Sequence, residues 1–363
     1  MNQINDWPEL DKQNLLPYLA GNALRSKRYK LLYVATPKVA CTSLKWWFAN
    51  LEDFADALRK TTDSIESDPD LIIHDMIYSV APTVAGLPFE ELFIPLTSED
   101  YFRFAVVRNP FKRVFSAWQS KLLLREPQQI GPYVNCDFYK QSIKSAADIA
   151  LAFEGFLEHL AKNESPNFLD LHWMPQLDLL RPDLINYSKL VKIENTEELS
   201  TALSERLGNE FIDPFATRSA NESLIPYLPE LITARSTELI TLLYAKDFEA
   251  FDYSKQLPLA KEAFSDEQFK IAINAIHVIR GRHKRLGEIR TQTINLKHLL
   301  VERGIQTDTL NEVLAERDSQ ITNLNQTVAD CDQEIAALLS SISWRLTKPL
   351  RLCLSLFMEK CRK

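Results

Sequence analysis

Glycine is scarce in this chain, eight residues in 363, and none lies between Leu31 and Trp47, the stretch with the clearest chemical character. A triphosphate loop of the form GxxxxGK[ST] is therefore missing, which disfavours NTPase and kinase chemistry. Cysteine is no richer. Cys41, Cys136, Cys331, Cys353 and Cys361 are odd in number, scattered and without a CxxC pair. They point to reduced thiols in a cytoplasmic compartment rather than to a disulfide framework. Basic excess is absent too: the net charge is −7 and the pI about 5.6. A general nucleic-acid binder would be basic, so any anion site must be a local patch. No apolar run approaches the roughly 18–20 residues of a membrane span, and MNQINDWPELDKQ has neither a basic n-region nor an apolar h-region. The expectation is a soluble protein, at most peripheral to a membrane. Proline nearly vanishes after Pro258, with only Pro349 beyond it, which permits a long C-terminal helix.

What is present is concentrated in LLYVATPKVACTSLKWW, residues 31–47. Its first part is a short β-branched, apolar run. Its last part has helical spacing, with Leu44, Trp47, Phe48 and Leu51 on one face. Thr36 to Ser43 between them are small and hydroxylated around a single lysine, Lys38. A strand, such a loop and a helix start direct backbone N–H groups and a positive helix end toward one point, which suits a phosphate. A second unit follows. Phe102–Val107 (FRFAVV) has the pattern of a buried strand, and Arg108-Asn109-Pro110 turns into a helix carrying Phe111, Val114, Phe115 and Trp118. Arg108 at the strand end can grip an anion bidentately, and Ser116, two turns into the helix, can face the same pocket. No acid ends FRFAVV where a Mg²⁺-holding aspartate would sit. Two such units predict an α/β fold, a three-layer parallel sheet flanked by helices.

Composition divides the chain into a polar lead-in (1–29), a globular domain (30–253), a helical linker (254–287), a coiled coil (288–342) and a basic amphipathic tail (343–363). From Ile289 through Leu296, Leu310, Leu324 and Leu338 to Ile342, spacings of four and three alternate over more than seven heptads, weakened at Arg303, Thr307 and Arg317. This predicts a homo-oligomer, a dimer or trimer. In the tail, Arg345, Lys348, Arg351, Lys360, Arg362 and Lys363 mix with leucines. That pattern suits either an anionic membrane surface or packing on its own partner.

The motifs PKVACT (37–42) and VRNPFKRVFSA (107–117) together resemble the two cofactor signatures of the carbohydrate sulfotransferases, the family that includes the chondroitin 4-O- and HNK-1-type enzymes. Two further segments are similar to that family: His172-Trp173-Met174-Pro175-Gln176 with Ile185, Tyr187, Lys192 and Glu194, and Tyr244 to Tyr253 (YAKDFEAFDY). The resemblance spans about residues 30–253 and implies a P-loop-like sheet. It also implies that 3′-phosphoadenosine 5′-phosphosulfate (PAPS) is the sulfuryl donor and that no metal is required. Lys38 with Val39, Ala40, Cys41, Thr42 and Ser43 would hold the 5′-phosphosulfate, and Arg108 and Ser116 the 3′-phosphate. A glycan hydroxyl would be the acceptor, with His172, Trp173 and Gln176 beside it and the segments 126–140 and 163–176 shaping its pocket.

The acceptor hydroxyl needs a base. His74, between the two cofactor motifs, is the first candidate; His172 and a carboxylate such as Asp75 or Glu194 are alternatives. His74-Asp75 could begin a metal site, but no further ligands follow at usable spacing. Two other classes stay open at this point. One is a non-catalytic scaffold working through its coiled coil and basic tail, the other a nucleotide kinase. Lacking an N-terminal anchor like that of Golgi members, the chain is expected to be cytoplasmic and peripheral to the inner membrane face.

Overall fold

The computed structural model describes residues 7–64, 66, 68–162, 170–216 and 223–361, without the side chains of Leu356 and of residues 359–361. The first six residues of the lead-in, residues 163–169 of the candidate acceptor segment, and, in the tail, the Lys360 side chain and all of Arg362 and Lys363 lie outside that description. The chain divides into two units, Met1–Arg290 and Thr291–Lys363.

The first unit is built on a four-stranded sheet in the order β1 (Ala23–Ser26), β2 (Leu31–Val34), β3 (Phe102–Val107), β4 (Lys189–Lys192). β1 is antiparallel to β2, while β2–β3 and β3–β4 are parallel. The central strands β2 (LLYV) and β3 (FRFAVV, apolar but for Arg103) carry apolar side chains on both faces because both faces of the sheet are covered. Leu31, Tyr33, Phe104 and Val106 pack on one side with Leu44 and Phe48 of the Cys41–Leu51 helix and Ile73 and Ile77 of the Ile73–Val80 helix. Leu32, Val34, Ala105 and Val107 pack on the other with Leu15, Leu19, Leu92 and Leu180. A further core joins the Pro110–Trp118 and Ala146–Lys162 helices through Phe115, Trp118, Phe153 and Phe156.

Both edges of this unit differ from the compositional reading. The lead-in supplies the Glu9–Asn22 helix and β1. Its basic Arg25 is buried, and its guanidinium donates to Thr83 O at 2.8 Å and to Glu91 Oε2 at 2.7 Å. The basic end of the lead-in thus supplies an internal tie. The segment 254–290 is likewise part of the unit. Ala272 and Ile276 sit in the core, and Arg280 Nε donates to Leu123 O at 2.7 Å.

The Asp266–Ser340 helix runs for 75 residues. In the second unit its seam positions Leu300, Leu310, Leu314, Ile321, Leu324, Val328 and Leu338 are more than half exposed. Ser341 caps the short Ile342–Leu346 helix, and Lys348–Cys361 follows. Among the described residues no helix is long and apolar enough to cross a membrane.

Candidate active site

After β2 the chain makes a left-handed turn without glycine. Lys38 (φ 66°) and Ala40 (φ 52°) both adopt the left-handed region, at a cost of about 1–2 kcal/mol each for residues with a Cβ. Two arginines from the neighbouring strand–helix unit hold the turn. Arg113 Nε donates to Pro37 O at 3.0 Å and Arg108 Nη1 to Lys38 O at 3.1 Å, while Val39 is buried in the core. The Cys41–Leu51 helix then begins with no side-chain cap, so its first N–H groups are left to another acceptor. The partner unit is capped conventionally: Asn109 Oδ1 accepts from Phe111 N and Lys112 N, with Pro110 at the first position.

These elements enclose a cavity of about 1120 Å³ in the first unit. Lys38, Ala40, Cys41, Thr42 and Ser43 line it from the loop, Arg108 and Ser116 from the second unit, and His74 and His172 from further segments. Trp173 and Gln176 do not line it, and both are wholly buried. Trp173 packs edge-on against Phe156 and Tyr133, so it offers no face to a sugar. Gln176 instead secures the end of β3. Its Oε1 accepts from Arg108 N at 2.9 Å and its Nε2 donates to Arg108 O at 2.9 Å. Asp247, buried and with its carboxyl pushed up by burial, accepts from Gln176 N and Leu177 N, both at 2.8 Å.

Four residues of the site carry no sequence signal of their own. Ser120 accepts from Lys38 Nζ at 2.8 Å. Lys121 lines the cavity and pairs with the buried Glu126 at 2.8 Å. Both lie in a π-helical turn, Gln119–Leu123, which displaces them from the register of the preceding helix. Lys45, one turn into the loop's helix, is 3% exposed and its Nζ is 3.4 Å from His74 Nδ1. Asp170 Oδ1 lies 2.7 Å from His172 Nδ1.

The cavity is electropositive and short of counter-ions. Burial, then Lys121, lowers the Lys38 ammonium to about 8. Lys45 and Arg108 are likewise lowered by burial, Arg108 against the longer-range pull of Glu194. Among the described residues neither Lys38 nor Lys45 makes an ion pair. Glu194 is engaged with Asn109 N at 3.3 Å and Tyr253 OH at 2.9 Å. Lys45 is buried and Lys38 half-buried; cations withdrawn from water without a counter-charge are costly alone and become favourable when an anion enters. Tyr227, also on the wall, has a buried hydroxyl with no partner among the described residues. The donor set therefore fits an anionic nucleotide. Burial and the neighbouring lysines hold His74 well below its ordinary value and His172 at about 4, so both rings are neutral at pH 7. Among the described residues no cluster of three or more His, Cys, Asp or Glu side chains is arranged for a metal.

Residues 22–254 match the sulfotransferase family. Among curated proteins, carbohydrate sulfotransferase 10 of Danio rerio is 26% identical over 63% of this chain and 65% of its own length. Carbohydrate sulfotransferase 14 of Mus musculus is 30% identical over 53% of this chain and 47% of its own. The human protein of the latter name is 29% identical over the same shares. The chain thus spans between about half and two thirds of these relatives. No solved structure matches it.

Proposed function

Because this chain belongs to the sulfotransferase family, we propose that its cavity binds PAPS and directs the sulfuryl group to a hydroxyl of a carbohydrate. The observation that carries the reading is the meeting of Lys38, Arg108, Ser116 and two neutral histidines on one electropositive wall. PAPS brings an activated sulfuryl group on a phosphate leaving group. Lys38, with the amides and hydroxyls of residues 39–43, stabilises the negative charge that develops on that phosphate. Arg108 and Ser116 take the 3′-phosphate; Ser116 Oγ lies 3.2 Å from Ser223 Oγ, which adds a second hydroxyl there. A cavity histidine accepts the acceptor's proton. Position between the two anion motifs favours His74 for that role, while ring geometry favours His172.

The finer readings travel with this one. The sheet is proposed as a P-loop-like scaffold, and the exposed heptad seam as the contact with a second copy in a coiled coil. The basic tail is proposed to meet an anionic membrane surface from the cytoplasmic side. Calorimetry with adenosine 3′,5′-bisphosphate (PAP) and transfer of labelled sulfate from PAPS to a glycan panel test the core proposal. Absence of PAP binding, or Lys38→Ala binding and transferring as wild type does, would refute it. PAP binding without turnover on any glycan would favour the scaffold reading.

A further inference from the structure

The two histidines of the cavity differ in which ring nitrogen holds the proton. His74 has both nitrogens engaged. Its Nδ1 faces Lys45 Nζ at 3.4 Å and its Nε2 lies 2.9 Å from Thr42 Oγ1. An ammonium can only donate, so Nδ1 is the acceptor and the ring's proton sits on Nε2, donated to Thr42. No lone pair is then left for a substrate proton. His172 has the opposite arrangement. Its Nδ1 lies 2.7 Å from Asp170 Oδ1, and an ionised carboxylate can only accept. The proton is therefore on Nδ1 and the lone pair on Nε2, which has no partner among the described residues. The backbone N–H of His172 also donates to Asp170 Oδ1, at 2.9 Å, so the carboxylate is held against its own ring.

We propose that His172 is the general base of the transfer and that Asp170 is its positioning residue. The inference rests on the sulfotransfer reading. As the acceptor oxygen forms its bond to sulfur, its proton passes to His172 Nε2. The bond from sulfur to the bridging oxygen breaks with its electron pair on the departing phosphate. The imidazolium, steadied by Asp170, then returns the proton to solvent. The same Asp–His logic makes a neutral imidazole a directed base elsewhere in enzymes.

The test uses the full-length protein. Histidine ¹⁵N NMR, assigned with His172→Gln and His74→Gln, should show a protonated Nδ1 and bare Nε2 at His172 and the reverse at His74, with and without PAP. A protonated Nε2 at His172 overturns the proposal. In turnover with ³⁵S-labelled PAPS, counted as sulfate on a glycan array and as sulfate released to water, His172→Gln should lose about 10²-fold or more. Its PAP affinity, which also reports folding, should stay within about threefold. Asp170→Asn should lose activity and displace the acid limb of kcat, while His74→Gln should lose less than about tenfold. Loss of turnover in His74→Gln but not in His172→Gln overturns this proposal alone. A wild type that binds no PAP, or moves no sulfate to glycan or water, overturns the sulfotransfer reading with it.

Discussion

Nucleotide binding should carry a proton with it. In the free protein burial and the Lys121 charge lower Lys38 from 10.5 to about 8. The charge of an anion against Nζ offsets both effects, so the bound state holds its proton to the ordinary lysine range. The sign follows. Near pH 7 the ammonium is protonated in both states and affinity is flat. Between pH 8 and about 10 the free protein has lost the proton that the complex needs, so Kd weakens by roughly tenfold per pH unit. The full span corresponds to about 2.5 pH units, on the order of 3 kcal/mol. Calorimetry of PAP in buffers of different ionisation enthalpy measures the uptake directly: near zero at pH 7, about half a proton at pH 8 and close to one at pH 9. Working above pH 7 keeps the phosphates' own second ionisation, near 6, out of the count. Lys38→Arg, which does not titrate here, should remove the alkaline limb. A Kd unchanged from pH 7 to 9.5, with no proton uptake, would refute the assignment. The same shift predicts that the free protein gains stability from this group as pH rises through 8, because the fold disfavours the charged form.

Gln176→Leu should destabilise the protein by about 2–4 kcal/mol in urea unfolding, since it strands both peptide groups of Arg108 and removes the side-chain donor, though not the two backbone donors, of the buried Asp247; unchanged stability would show the clamp to be idle. PAP affinity should fall with it, because Arg108 loses its anchor. Ala40→Gly relieves a left-handed Cβ and should raise stability by about 0.5–1 kcal/mol after the entropy that glycine adds to the unfolded chain; a loss would mean that the loop is not strained. The pair Leu314→Asp and Leu324→Asp charges the exposed seam and should lower the mass in sedimentation equilibrium while leaving PAP affinity intact. An identical mass in the two proteins would remove the seam as an oligomer contact.

Much of this site is legible in one dimension because local rules write it. A continuous apolar run makes a strand buried on both faces, Asn109-Pro110 starts a helix, and a hydroxylated segment around one lysine turns between strand and helix. Those rules place Lys38, Arg108 and Ser116 without reference to anything distant. What lies beyond them depends on which face of an element meets another, and sequence spacing does not carry that. Trp173 and Gln176 sit beside His172 in the chain, yet the fold turns them into the core and leaves His172 on the wall. Arg25, a basic residue of a lead-in that is polar by composition, is buried where Glu91 and Thr83 accept from its guanidinium. Ser120 and Lys121 reach the cavity through a π turn that breaks the helical register on which periodicity relies. The two histidines were visible from the start. Only their tertiary neighbours, an ammonium for His74 and a carboxylate for His172, decide where each ring keeps its proton.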